Sequence, residues 1–588
     1  MKTKSDKPNV LYLITHDQGI AASSYAEYGP CASSLMKTPN INKVAKNGVM
    51  LTNHFGTAPQ CSPARGSLIT SKHPHVNGLI GLTHRGFEIS EKQKTLFHQF
   101  KNNGYKTKLI GFQHETKEDP KKLGYQEVYV PNPFANCQPL LGEIERTFGL
   151  IKEANKKGKP YWLSIGTHEV HLNWEKWVTE EEKFSPENIE VPSFLPDTPK
   201  IRKHIGSFYG ALQKYDDFVG RVMKLLKKYQ LDDNTIVIVT TDHGIAHPRA
   251  KGTLYNPGNH DLMIWSFPSR FPKNKRVHSL LSSIDFAPTI CDLCGVPPHP
   301  EFMGQSYASL LTSNKQDEES EIHDYIFTEL TYHDKYNPMR AIQTNRFKYI
   351  INYAADKVSL IQGVPGDIQH NVSWKEWKNK GNNTTRDPVE FYDLKEDPLE
   401  ENNLIKDGIV PNEYIDKFNE LKDKLNDFLH KTEDKILKGT YPLPPGAKID
   451  NAVDFDHIPI YYLRNTGELS ENDEQQLVIK MQLTPQNPNI FDIPLIEIIE
   501  EYLGKEIVLK IKNQDNTIEK SGIIEANEND QLFFIDSEES KSKNSDSEQH
   551  PQLLSFLLRS LYDKEIGVNI LKWTPDSTYI LKFEVLRK

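Results

Sequence analysis

The residues best suited to chemistry stand at the ends of apolar runs. Asn9–Thr15 (NVLYLIT) stops at His16-Asp17, and Thr235–Thr241 (TIVIVTT) stops at Asp242-His243-Gly244. Ligands of open α/β sheets bind outside the carboxyl ends of strands. Two Asp-His pairs placed there could converge on one divalent cation, although either aspartate alone could equally cap a turn. Between them lies Cys61-Ser62-Pro63-Ala64-Arg65-Gly66-Ser67. Pro63 suits a first helical turn. Cys61 then sits at the helix amino end, where free N–H groups favour an anion. Arg65, one turn on, adds a fork-shaped cation for an oxyanion. Gln113-His114-Glu115 follows a third run, Lys106–Gly111, and His168-Glu169-Val170-His171 follows a fourth, Tyr161–Ile165. His247 to Lys251 lies just past the second Asp-His pair. Four strand ends carrying histidine would all face one edge of one sheet.

That convergence requires a particular scaffold. Over roughly the first 320 residues, short apolar runs alternate with helical patterns such as Phe208–Tyr229. Such alternation predicts an α/β layer fold with a large, mostly parallel sheet. From residue 323 to 445 the texture shifts to short strands (Tyr325–Thr328, Phe347–Asn352, Glu390–Asp393) and a polar helix, Tyr414–Lys431, which predicts a smaller α+β subdomain with an antiparallel sheet. The division read from sequence is therefore a catalytic α/β domain at 1–322, the smaller subdomain at 323–445, a Pro/Gly/Asp-rich linker at 446–460, and a further α+β module at 461–588. In that module Glu506–Lys512 and Gln531–Ile535 read as strands and Gln552–Tyr562 as an apolar helix.

Composition excludes several classes. The net charge of −9 is uneven: residues 451–588 hold 14 Lys+Arg against 25 Asp+Glu, and residues 1–450 hold 57 against 55. The carboxyl-terminal module is thus acidic, and no basic block argues for nucleic acid. No apolar stretch approaches the roughly 20 residues of a membrane span. Five cysteines imply no disulfide framework, which fits a reducing compartment. Cys291-x-x-Cys294 lacks a second pair and falls on an apolar helical face, so both read as core. The amino terminus as given shows no signal-like apolar segment, and the expectation is a cytoplasmic protein.

On these residues the sequence resembles the sulfatase family of the alkaline-phosphatase-like superfamily. Cys61-Ser62-Pro63-Ala64-Arg65 is similar to the family's modification signature. Asp17 and Asp242 follow its first and late strands, Gly111-x-x-His114 its middle strand, and His168 and His171 precede its insert. Phe391–Leu404 (FYDLKEDPLEENNL) is also sulfatase-like. Val191–Pro199, Asp242–Tyr255 and the GSLIT after the signature are similar to the N-sulfoglucosamine sulfohydrolase branch. The resemblance covers about residues 8–445. It implies a sulfuric ester or N-sulfo hydrolase whose nucleophile is a formylglycine made from Cys61 by a formylglycine-generating or anaerobic sulfatase-maturating enzyme. It implies a divalent metal, Ca²⁺ first and Mn²⁺ or Zn²⁺ as alternatives, on Asp17, Asp242, His243, position 61 and His16. Arg65 and Lys251 would neutralise the sulfo group, His171 (or His168) protonate the leaving atom, and His114 act as base. A sulfated saccharide would be held by His168, His84, His333 and Arg340, with Trp174 and Trp177 as stacking candidates. A homodimer is a further expectation. Alternatives remain open at this point: a phosphonate or phosphate ester hydrolase of the same superfamily, or a non-catalytic sugar-binding relative. Three positions depart from the common family pattern: His16 for Asp, His243 for Asn, and Phe112 for a lysine. The first two replace oxygen donors by nitrogen, which suits Mn²⁺ or Zn²⁺ better than Ca²⁺.

Overall fold

The computed structural model describes residues 7–450 apart from 30, 132–135, 317–319, 356–357, 380–385, 407 and 440; beyond 450 it describes strands alone, without their side chains. The chain divides into two compact units, one of residues 1–425 with 443–452, the other of residues 426–442 with 453–588.

The first unit is built on β1 (Asn9–Ile14), β2 (Val49–Leu51), β3 (His54–Phe55), β4 (Lys106–Gly111), β5 (Glu127–Tyr129), β6 (Tyr161–Gly166), β7 (Thr235–Thr240), β8 (Met263–Ser266) and β9 (Lys275–Val277). Eight of these form one sheet in the order β5-β4-β6-β1-β7-β8-β2-β9. The five from β5 to β7 run parallel, β8 is antiparallel to both of its neighbours, and β2 and β9 pair in parallel. β3 lies outside it and pairs in parallel with β10 (Leu281–Ser282).

Every residue of β1, β6 and β7 is buried. Such strands, covered on both faces, must read as continuous apolar runs. Alternate residues serve opposite faces. Leu11, Leu13, Val237, Val239, Leu163 and Ile165 join the core beneath the long helix Pro199–Lys228. Val10, Tyr12, Ile236, Ile238 and Trp162 join the other core, with Cys291 and Cys294 buried in it as expected. The long helix starts two turns earlier than its apolar period predicts. Thr198 caps it, its hydroxyl accepting the Ile201 N–H at 3.3 Å, and Pro199 opens it.

Register decides what emerges at the sheet edge. Ile14 pairs with Gly166 on one side and Thr240 on the other, and Gly111 pairs with Gly166. Four strands therefore end level, and the residues after them meet. Glycine is required there: a Cβ on Gly166 would lie 1.8 Å from the Phe112 carbonyl oxygen, and one on Gly111 (φ 84°) 2.3 Å from that of Gly166.

A second, antiparallel sheet follows in the order β11 (Ile326–Tyr332), β12 (Tyr336–Gln343), β13 (Phe347–Asn352), β14 (Val389–Asp393). The expected linker does not begin freely. The Lys448 N–H donates to the Arg85 carbonyl at 2.8 Å, and Asp450 accepts from the Arg85 guanidinium at 3.0 Å. Residues 451–460 lie outside the described residues.

In the second unit the strands form a five-stranded and a three-stranded antiparallel sheet. Glu506–Asn513 and Leu532–Asp536 lie where strands were expected. The helix expected at Gln552–Tyr562 is corrected in part: Leu557–Leu558 is a strand, and the rest of that segment lies outside the described residues. A short apolar run fits either period, so its sequence alone does not separate the two.

Two histidines at the β3 crossover tie stability to pH. Burial first, then the neighbouring charge of His260, pushes the His54 pKa down to about 3; burial pushes His260 down to about 4. Both stay neutral in the fold while an unfolded histidine takes a proton below about 6.5. The unfolded chain then binds more protons, so stability falls as pH drops from about 6.5 toward 4 and is unaffected by these groups above that window. The urea midpoint, followed by tryptophan fluorescence, should fall between pH 7.5 and 5.5, and His54→Phe should reduce the drop by about one proton's share, roughly 1.4 kcal/mol per pH unit. A drop identical in the variant would show that His54 is not a contributor.

Candidate active site

Asp17 and Asp242 leave β1 and β7 side by side and are fully buried. Asp17 takes a left-handed backbone, φ 55°, an arrangement that costs on the order of 1 kcal/mol and clusters at functional sites. Its N–H donates to Asp242 Oδ1 at 3.0 Å, as does the His243 N–H, so the carboxylate of one strand end fixes the turn of the other.

Cations surround the pair. Arg65 Nε donates to Asp242 Oδ2 at 2.9 Å and its Nη2 to the Thr15 carbonyl at 2.9 Å. Lys251 Nζ reaches both oxygens of Asp17, at 3.1 and 3.0 Å. His16 Nδ1 lies 2.9 Å from Asp17 Oδ1 and 3.2 Å from Asp242 Oδ2. Burial opposes charge on His16, but Asp242, Cys61 and Asp17 outweigh it and raise its pKa to about 9. Burial likewise opposes ionisation of Asp17, and Lys251, His171, His16 and His243 hold it well below the usual carboxylate range.

Cys61 opens the helix Cys61–Thr70, which is buried on every side. Its Sγ lies 3.3 Å from His243 Nε2, and the His114 ring stands beside it. Burial favours the neutral thiol, yet Lys251, His16 and His243 carry its pKa well below the ordinary value. Position 61 is therefore held in a field that stabilises negative charge. His243 Nδ1 meets the Gly244 carbonyl at 2.9 Å. Burial opposes charge on His243, but Asp242, Cys61 and Asp17 raise its pKa well above the ordinary value, so Nε2 also carries a proton that it would give up to ligate an ion. That Nε2 lies 3.0 Å from Asp17 Oδ1. The ligand atoms of His16, Asp17, Cys61 and His243 all fall within 4.8 Å of one another. The donor set, with Asp242 beside it, fits a divalent ion.

His171 Nε2 lies 3.8 Å from Asp17 Oδ2 and 3.5 Å from Asp367 Oδ2. Asp367 also accepts from Lys251 at 2.7 Å. His168 stacks on His171, ring centroids 4.8 Å apart, and His84 Nδ1 lies 3.0 Å from His114 Nε2.

The structure thus brings together Cys61, Arg65, His16, Asp17, Asp242, His243, Lys251, His114 and His171, with His168 and His84 against them. His333 bonds Asp334 at 2.7 Å, and Asp334 accepts the Gly366 N–H beside Asp367, so His333 stands near His84 at the margin of the cluster. Other candidates lie elsewhere. Arg340 is buried and donates to the carbonyls of Leu330 and Met339 at 3.0 and 2.9 Å. Trp174 is fully buried against Phe208 and His247, 4.9 and 5.1 Å away, so it is core and presents no stacking face. His247 belongs with it rather than with the strand-end cluster. Phe112 fills the place of the missing lysine by packing on the Arg65 guanidinium at 5.3 Å and the His16 ring at 5.0 Å. Asp367 was missed. It lies in Gly363-Val364-Pro365-Gly366-Asp367, a turn-like stretch at no strand end, and carries no local signal.

A family model described as Sulfatase matches residues 8–296, and one described as N-sulphoglucosamine sulphohydrolase, C-terminal, matches residues 249–364. The chain belongs to the sulfatase family. Curated relatives agree. An ulvan-active sulfatase of Formosa agariphila is 24% identical over 477 residues, covering 72% of this chain and 75% of the relative. Human N-sulphoglucosamine sulphohydrolase is 25% identical over 470 residues, covering 72% and 89%. A solved structure in complex with its substrate D-glucosamine-2-N,6-O-disulfate shares the fold at TM-score 0.52 and 18% identity, covering 73% of this chain and 99% of that one. A 2-O GAG sulfatase does so at TM-score 0.54 and 20% identity, covering 74% and 94%. The protein is a sulfatase enzyme, and the family generally uses a metal and a formylglycine.

Asp242 draws countercharge from His16 and His243 and, through a 2.9 Å hydrogen bond, from Arg65. Arg65→Ala should destabilise the sulfatase by roughly 3 kcal/mol, because it removes one partner of a buried ion pair. Adding Asp242→Asn should restore part of that loss. Urea unfolding of the single and double variants measures the coupling, and strictly additive losses would refute it.

Proposed function

We infer that this sulfatase removes a sulfo group from a sulfated sugar such as N-sulfoglucosamine, using a formylglycine made from Cys61 and a divalent metal. The observation that carries the reading is the setting of Cys61: at a helix amino end, 3.3 Å from His243 Nε2, inside a buried ring of carboxylates and cations. The residues suited to hold the ion are Asp17, Asp242 and His243, with His16 and position 61 beside them. Ca²⁺ is the family expectation, and the imidazole donors also suit Mn²⁺ or Zn²⁺. Bound there, the ion supplies Lewis-acid polarisation of a sulfo oxygen, and a formylglycine hydrate supplies an oxygen nucleophile with a second hydroxyl, which a thiol lacks.

The chain's own residues do the rest. Lys251 and Arg65 offset negative charge that grows on the sulfo oxygens as the bond to sulfur forms. Burial is the first cause, and nearby cations a further one, by which the pKa of His171 is lowered, despite Asp17. It is therefore neutral in the free site and can protonate a departing atom only after gaining a proton as the substrate's negative charge arrives beside it. Burial holds His114 at about 4, against the neighbouring Cys61. It is neutral at pH 7 and suited to accept a proton from the group at 61. The match of residues 249–364 to the N-sulphoglucosamine sulphohydrolase model supports an amino-sugar substrate.

Mass spectrometry of the Cys61 peptide from protein co-produced with a maturating enzyme should show the aldehyde. That protein should release sulfate from N-sulfoglucosamine, Cys61→Ala should reduce the rate by at least roughly 1,000-fold, and chelation should abolish it reversibly. An unmodified thiol in fully active protein, or full activity after chelation, would overturn the reading; turnover confined to phosphate esters would favour the phosphohydrolase alternative.

A further inference from the structure

The buried cluster reaches solvent past His171 and Asp367 and, beside position 61, past the half-buried His114 and the exposed His84. Asp17, Asp242, Arg65, Lys251, His16 and His243 are almost wholly enclosed, whereas the side chains of His171 and Asp367 are 20% and 25% exposed. These two groups stand where a substrate enters and where a leaving group departs. An imidazole there has an evident role. A carboxylate does not: Asp367 is negative, beside the lysine that would bind a sulfo group.

Asp367 is held in place. Its turn is tied by the Gly366 N–H, which donates to Asp334 Oδ2 at 2.6 Å, and by Gln369, whose amide donates to the Val364 carbonyl at 2.6 Å. Pro365 packs against Gly252, where a Cβ would come within 2.7 Å of its ring. Lys251 does not need Asp367 for charge, because it already has both oxygens of Asp17. The carboxylate is positioned, partly open and surplus to the local charge balance.

We propose that Asp367 selects nitrogen-linked over oxygen-linked sulfo groups. The inference rests on the sulfatase reading above and names a specificity residue for that site. A sulfamate, R–NH–SO₃⁻, carries an N–H at the atom next to sulfur, and a sulfate ester, R–O–SO₃⁻, carries none. A carboxylate at the exit can accept that N–H; against the ester oxygen it meets only lone pairs. The products differ in the same sense. In R–NH–SO₃⁻ + H₂O → R–NH₃⁺ + SO₄²⁻, the S–N bond breaks, an S–O bond forms, and water's two protons end on nitrogen. His171, 3.5 Å from Asp367, is the group that relays a proton to it. The ammonium formed is a cation beside a carboxylate. Ester hydrolysis leaves a neutral alcohol, which gains much less from Asp367.

The test uses full-length, matured, metal-loaded enzyme with N-sulfoglucosamine and glucosamine 6-sulfate as substrates. Asp367→Asn keeps the shape and the bonds to Lys251 and His171 but weakens acceptance of an N–H. The ratio of kcat/KM for the N-sulfo over the O-sulfo substrate should fall about 10- to 100-fold, the range of one hydrogen bond to a charged group. Inhibition by glucosamine should weaken, and inhibition by inorganic sulfate should not. A ratio unchanged within about twofold, or equal losses on both substrates, would overturn the assignment. Wild-type activity on the ester alone would overturn it too while leaving the sulfatase reading intact. Wild-type inactivity on both sugars, despite the aldehyde at 61, would overturn that reading and this inference together.

Discussion

The structure around the site depends on one constraint: two carboxylates, Asp17 and Asp242, are buried side by side at the ends of neighbouring strands. Each such charge costs several kcal/mol to remove from water unless paired and hydrogen-bonded. Arg65 must therefore lie inside the fold, although arginine is among the residues least often buried. Its fork spans Asp242 and the Thr15 carbonyl, a geometry lysine cannot reproduce. Because Arg65 sits on the helix that begins with Cys61, the same pairing fixes position 61. Lys251 and the left-handed turn at Asp17 follow from the second carboxylate.

Most of this was legible because the sheet imposes a simple rule. Runs such as NVLYLI and TIVIVT can only be buried strands, and parallel strands in register end together. The residues after each run then share one edge, and nine of the candidates meet there. What the rule does not reach is what other segments contribute. Asp367 comes from a turn about 115 residues beyond Lys251, and nothing local marks it. The reverse error has the same origin. Trp174, His247 and Arg340 stand in sequence beside site residues or on loops that look exposed. Tertiary packing turns the first two into the core and Arg340 onto strand carbonyls. Neighbourhood in sequence predicts a shared edge for strand ends and nothing for loop residues.

The His16 and His243 substitutions read from sequence as a change of metal donors. In three dimensions they also change charge. His16 is held protonated to about pH 9, so it can serve as a counter-ion between the two carboxylates. An ion binding there must displace that proton, since only neutral imidazole is a ligand. Binding of an ion at these residues would therefore be coupled to proton release more strongly than at an all-carboxylate site. Within His243 the two roles are separated by atom: Nδ1 is committed to the Gly244 carbonyl, and Nε2 faces Asp17 and position 61.

Phe112 stands where the common family pattern has a lysine. A cation at that position would balance Lys251 across the sulfo group. A buried ring there instead packs against the Arg65 guanidinium and, tilted, against His16. Arg65 is tied to Asp242 and the Thr15 carbonyl, and Lys251, bonded to both Asp17 and Asp367, is the buried cation that touches the partly exposed carboxylate. The side chains of His171 and Asp367 reach solvent on the Lys251 side, and His114 with the exposed His84 reaches it beside position 61. On the reading proposed above, a sulfo group with its oxygens toward Lys251 directs its bond to the sugar toward the side where the His171 imidazole and the Asp367 carboxylate stand.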